Sequence, residues 1–244
     1  MRRALLPLAL AAFVLAAVLA SAAGARSERA SHSCFRAGEL RFQAADGTKL
    51  VGHRLGKGTT AVVLAHQSEG DLCDWIPYAR RLAARGFFVL ALDFRGYGES
   101  QYRPGKAQNR FALDLAAAAK ELRALGKRKV VLMGASMGGL ASLVAGATVK
   151  PAVSGVISVS GPARFRGMDA LASAPRLKVP VLYVAAEGDD NAGFDFSEDA
   201  RKLHAATASS GKQLEVVPGT LHGIDLVAGS SRVKSLIEGF LKAR

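Results

Sequence analysis

Past residue 38 the hydrophobic pattern becomes regular. ELRFQAADGTKLVGHRL, residues 39–55, alternates around Asp46-Gly47 and predicts two strands joined by a turn. TTAVVLAH (59–66) is a continuous apolar run, as expected of a strand buried on both faces. A polar loop, QSEGDLCD, precedes a helix over 75–84, and FFVLALDF (87–94) is a second buried strand. The alternation then continues with a helix over 111–125 rich in Ala and Leu, a strand over 129–133 and a helix over 137–148. Strands follow at 154–160 and 180–186, the latter with Pro180 at its first position, where proline is tolerated. A helix over 196–209, a strand over 213–217 and a closing helix over 231–242 complete the series. Strands alternating with helices predict an α/β fold, a mostly parallel eight-stranded sheet with helices on both faces.

The first 25 residues stand apart. MRRALLPLALAAFVLAAVLASAAGA has Arg2 and Arg3, then no charge, and ends in Ala23-Gly24-Ala25. A basic start, an apolar stretch and a small-residue end describe a cleaved secretory signal peptide. An uncleaved membrane anchor is the alternative, since about 20 apolar residues span a bilayer. The expected organisation is a signal peptide (1–25), a flexible lead (26–38) and one domain (39–244), exported to a periplasm or secreted. Two cysteines, Cys34 and Cys73, fall in the exported part, where a disulfide is chemically permitted.

In open α/β sheets function gathers at the carboxyl ends of the strands. The residues after each buried run therefore carry the candidate chemistry. VVLMGASMGGLAS places Gly134-Ala135-Ser136-Met137-Gly138 between a strand and an apolar helix. This is a G-x-S-x-G turn, in which small neighbours let a serine occupy a strained corner and the following helix aims its first N–H groups at the same point. A serine hydroxyl needs a base. Of five histidines, His222 lies in the loop after the last strand, beside Gly223; His66 ends the third strand, and His32, His53 and His204 lie in the lead, the hairpin and a helix. The base needs an acid to orient it. Asp189 and Asp190 follow the seventh strand; Asp189 is favoured, with Asp190 as the alternative, whereas Ser160-Gly161-Pro162 after the sixth strand offers no carboxylate.

With VVLAHQSEGD, LDFRGYGES, GASMGG, the acidic pair and LHG in that order, the chain resembles the α/β-hydrolase fold superfamily over residues 39–244. The resemblance implies a Ser136–Asp189–His222 triad and an oxyanion hole in the loop opened by His66-Gln67, where relatives carry His-Gly. Gln67 departs from that pattern and leaves Ser68 or Gln67 as the second backbone donor; Ser68 is favoured, with Met137 as the first. LDFRGYGES reads as structural, shaping the pocket edge. Residues 161–179 are too few for the helical cap that many relatives insert, so no substantial lid domain and an open pocket are expected.

Composition and charge narrow the reading further. At 244 residues, 50% hydrophobic, the chain supports one sizeable core. Its formal net charge of +13 could suit nucleic acid or acidic polymers. The basic residues are scattered, however, and no nucleic-acid motif accompanies them, so a solvated basic surface and no nucleic-acid partner are expected. No phosphate or dinucleotide loop, Cys/His cluster or second apolar span is present, so no cofactor, no metal and no membrane insertion after leader removal are expected. The expected activity is a serine hydrolase acting on a small-molecule carboxylic ester. Thioesters, peptides, lactones or acyl transfer are alternatives on the same machinery, and a non-catalytic binding protein of this fold is the rival from another class.

Overall fold

A computed structural model describes Cys34 and residues 37–191 and 193–244. The expected signal peptide and most of the lead lie outside the described residues. Eight strands form one sheet: β1 (Glu39–Gln43), β2 (Lys49–Leu55), β3 (Thr60–Ala65), β4 (Phe88–Leu92), β5 (Lys129–Ala135), β6 (Gly155–Val159), β7 (Val181–Ala186) and β8 (Lys212–Val217). Their order is β1-β2-β4-β3-β5-β6-β7-β8. The first hairpin is antiparallel and meets β4 antiparallel, whereas β4, β3 and β5 to β8 run parallel. Asp46 Oδ1 accepts from the Thr48 hydroxyl at 2.7 Å and Gly47 takes φ 77°, which closes the predicted turn.

The helices are α1 (Ile76–Ala84), α2 (Phe111–Ala124), α3 (Met137–Gly146), α4 (Ala170–Ser173), α5 (Phe196–Ala206), α6 (Gly223–Gly229) and α7 (Ser231–Lys242). The period-two alternation of strand side chains sorts the core into two layers. Val63, Leu90, Leu132 and Tyr183 pack with α2, α3 and α5. Val62, Val89, Val131 and Leu182 pack on the opposite face with α1, α6 and α7. Burial on both faces explains why the central strands read as unbroken apolar runs.

The structure departs from the sequence pattern at several points, most of them element ends that shift by one to three residues. The fifth strand runs to Ala135, because Gly134 and Ala135 still pair with Ser158 and Val159. The helix after Phe196 stops at Ala206, where Thr207 turns extended and its hydroxyl bonds the Leu203 carbonyl. The loop holding His222 leads at once into α6, whose Leu226 and Val227 are buried; its terminal glycines hide it in the sequence. Residues 161–179 form a two-residue-per-strand hairpin (Arg164–Phe165 with Met168–Asp169), α4 and a single 3₁₀ turn, with no large lid. Cys34 and Cys73 form a disulfide.

Candidate active site

Ser136 caps α3 at φ 49° and ψ −118°, a region costly for a residue with a Cβ. The corner is held by the Ser136 N–H donating to the Val159 carbonyl at 2.8 Å and by Leu140 N–H bonding the Ser136 carbonyl at 3.0 Å. Its glycines are required by close approach. A Cβ on Gly134 would stand 2.2 Å from the Gly138 carbonyl carbon, and one on Gly138 would stand 2.2 Å from the Ala65 carbonyl oxygen. The glycines thus let α3 start directly against β3, with its first N–H groups, Met137's included, lacking intrahelical acceptors.

His222 sits between β8 and α6. Its Nδ1 lies 2.8 Å from Oδ1 and 3.1 Å from Oδ2 of Asp189, whose side chain is fully buried. A carboxylate on Nδ1 fixes the Nδ1–H tautomer and leaves Nε2 with its lone pair. Asp189 is fixed in turn, its carbonyl accepting from Phe196 N–H at 3.0 Å, and the Phe196 ring packs on the imidazole with centroids 4.3 Å apart. Asp190 is exposed and pairs instead within a short ribbon with Asp195. Of the two aspartates, only Asp189 meets the histidine.

The loop carrying His222 is tied on both sides. Gly223 N–H donates to Ser160 Oγ at 3.0 Å, and Ile224 N–H donates to Gln67 Oε1 at 3.3 Å. Gly223 has φ 54°, and a Cβ there would stand 2.4 Å from Gln67 Oε1. The glutamine that departs from the His-Gly pattern therefore fastens the loop after β3 to the histidine loop. Ser160, itself at φ 49°, was not singled out by its sequence context, since its partner lies 63 residues away.

His66 is wholly buried and has both ring nitrogens engaged: Nδ1–H donates to the Gln67 carbonyl at 2.7 Å, and Nε2 accepts from Phe94 N–H at 3.1 Å. Burial pushes its pKa down, against the opposing effect of the Gln67 hydrogen bond, so the ring is neutral and structural. Because amide C=O and N–H point oppositely across a trans peptide, the Gln67 carbonyl turned to His66 directs Ser68 N–H away from it.

LDFRGYGES is structural, as its pattern suggests. Arg95 is fully buried, with Nη2 2.6 Å from Asp114 Oδ1 and Nη1 2.7 Å from Asp46 Oδ2. Asp93 accepts from Leu72 N–H at 3.0 Å and Glu99 N–H at 2.9 Å. Burial would raise the Asp46 carboxyl, but the Arg95 and Thr48 hydrogen bonds outweigh it and hold it well below the usual carboxylate range.

Ser136, Ser68 and His222 line one cavity of about 280 Å³. Pro162, Phe165, Arg166, Phe194, Phe196, Gln67 and Glu69 complete it. Sequence reasoning missed the aromatic and arginine wall; the Phe-x-Phe at residues 194–196, separated from the acidic pair by three residues, was the one available signal. Among the described residues no group of three His, Cys, Asp or Glu side chains converges as a metal site, and no helix is long and apolar enough to cross a membrane.

A family model described as alpha/beta hydrolase fold matches residues 60–183, just over half of the chain. Solved structures are similar over most of the chain. An esterase from Pyrococcus furiosus is 20% identical with a TM-score of 0.74, over 86% of this chain and 91% of that one. An esterase from a Rhodococcus species is 19% identical at TM-score 0.70, over 84% and 99%. An enol-lactonase from Burkholderia xenovorans is 19% identical at TM-score 0.69, over 82% and 99%. At these identities the likeness is one of fold.

Proposed function

Because the chain belongs to the α/β-hydrolase family, we propose that it is a serine hydrolase cleaving small carboxylic esters through an acyl-enzyme. The observation that carries this reading is the buried Asp189 on His222 Nδ1, with His222 and the positive-φ Ser136 lining one cavity. Ser136 Oγ attacks the ester carbonyl carbon while His222 Nε2 takes its proton. Asp189 keeps the imidazole in the right tautomer and stabilises the imidazolium. Ser68 N–H and Met137 N–H hold the oxyanion. The carbonyl re-forms, the C–O bond to the alcohol breaks, and the alcohol leaves with the proton from His222. Water then attacks the acyl-Ser136 ester with His222 again as base, releasing the acid and regenerating the serine.

Labelling with a fluorescent fluorophosphonate tests this directly. Wild type should label, Ser136→Ala should not, and His222→Ala should label far more slowly. Equal labelling of wild type and Ser136→Ala would assign the reaction elsewhere, and a folded wild type that does not label would favour the binding-protein reading.

Export belongs to the same proposal. The basic, apolar and small-residue order of residues 1–25 supports a cleaved leader, and the Cys34–Cys73 disulfide suits an oxidising compartment. Intact mass of the protein recovered outside the cytoplasm should correspond to a chain starting near residue 26; a full-length mass would indicate a retained anchor.

A further inference from the structure

The hairpin of residues 164–169 lies between β6 and β7, and its two-residue turn is Arg166-Gly167, with φ 47° and 79°. Turns with two positive-φ residues favour Asn, Asp or Gly at the first position. An arginine there is strained, and local turn chemistry does not call for it. What the position achieves is placement: Arg166 lines the cavity shared by Ser136 and His222.

The guanidinium is braced. It lies over the Phe165 ring, 5.2 Å from its centroid, and Nη1 donates to the Tyr97 hydroxyl at 2.8 Å. Tyr97 is itself wedged against His66, with ring centroids 4.9 Å apart, and against Phe111 at 6.1 Å. Two residues earlier in the same hairpin, Arg164 is consumed by Asp169 at 2.7 Å. Among the described residues Arg166 has no carboxylate partner of this kind; its one side-chain hydrogen bond goes to the Tyr97 hydroxyl and leaves most of its five N–H donors over. Glu69, on the loop after β3, is the one carboxylate lining the cavity among the described residues. The same cavity also carries three aromatic side chains, Phe165, Phe194 and Phe196. A net charge of +13 draws anions toward the whole molecule.

We propose that Arg166 is a specificity-determining residue that binds a carboxylate on the substrate, so that the preferred esters carry a free acid separated from the ester by an apolar stretch. The proposal rests on the serine hydrolase reading. A planar, two-pronged guanidinium suits a carboxylate, and the phenylalanines suit the methylenes between the two ends. The anion sits on the Arg166 guanidinium, and Glu69, which lines the same cavity, would repel it.

The test compares the mono-4-nitrophenyl ester of adipic acid with 4-nitrophenyl hexanoate, a chain of the same length without the acid. Wild type should prefer the adipate ester in kcat/KM. Arg166→Asn, a residue that tolerates positive φ and so keeps the turn, should lower the adipate-to-hexanoate preference about ten- to hundredfold, chiefly through KM. Arg166→Lys should restore part of it, and added salt should erode the wild-type preference. Glu69→Gln should raise the preference. A wild type that labels with fluorophosphonate but does not prefer the adipate ester, or a preference unchanged in Arg166→Asn, overturns the inference and leaves the hydrolase reading intact. Absence of labelling overturns both.

Discussion

Ser136 keeps its positive φ because Gly134 and Gly138, two residues to either side, have no side chain to obstruct the corner. Gly138 is the sharpest case, since a methyl there would meet the Ala65 carbonyl oxygen at 2.2 Å, backbone against backbone. Gly138→Ala should therefore cost about 3 kcal/mol or more, at the upper end of overpacking effects, and abolish fluorophosphonate labelling. A urea unfolding midpoint close to wild type would contradict this. His66 carries a pH signature. Its folded pKa is depressed by burial below the ordinary histidine value of about 6.5. The unfolded state then binds the extra proton, so the His66 contribution is complete above that value and is lost progressively as pH falls below it toward the folded pKa. Thermal melts between pH 7.5 and 5 should show stability falling toward acid, with a shallower slope in His66→Asn whatever that variant's absolute Tm. An unchanged slope would show that other groups, such as His53 and His204, whose pKa values burial also lowers, carry the effect.

Among elements, α1 and α7 share one face of the sheet and are joined by charge as well as by packing. Glu238 on α7 receives Arg81 Nε at 2.6 Å and Arg85 Nε at 2.7 Å, one on each carboxylate oxygen. The carboxylate is nearly buried while both arginines remain over a third exposed, so truncation does not strand an enclosed charge. Glu238→Ala should cost about 1–3 kcal/mol, between the values for surface and buried pairs, and leave kcat for the neutral ester near wild type because the clamp lies outside the cavity. Chemical denaturation read beside hexanoate turnover separates the two effects; a large loss of kcat at full folding would tie the clamp to the site. Element type was readable along the whole domain because the core strands are short apolar runs and the helices longer amphipathic ones. The exceptions are short: the two-residue ribbons, α4, and α6, seven residues long, whose helicity depends on Leu226 and Val227 finding the sheet.

For the molecule as a whole, the Cys34–Cys73 disulfide pins the chain ahead of β1 to the 3₁₀ turn before α1, closing a loop with a sequence separation of 39. The chain-entropy model gives such a loop about 4 kcal/mol of stabilisation. Cys73→Ser, or reduction of the wild type, should lower Tm substantially while labelling at 25 °C persists, since neither cysteine lines the cavity. Equal melting of oxidised and reduced protein would show that the segment ahead of β1 adds nothing to global stability.

The order of strands and helices, the layered α/β architecture and the glycine-flanked corner at Ser136 were determined by the sequence itself. All three follow from local rules: side-chain period, turn chemistry, and the clash any Cβ would make in a tight corner. The positions of Ser136 and His222 at one sheet edge follow as well, because parallel strands deliver all their carboxyl ends to the same side. Tertiary structure decided the rest. Whether Asp189 or its neighbour meets His222 depends on a contact across 33 residues. The use of Gln67 as a tie to the histidine loop depends on one across 157, and the bracing of Arg166 by Tyr97 on one across 69. Local periodicity carries no information about such pairings, which exist only once the sheet has closed and brought separate loops into contact.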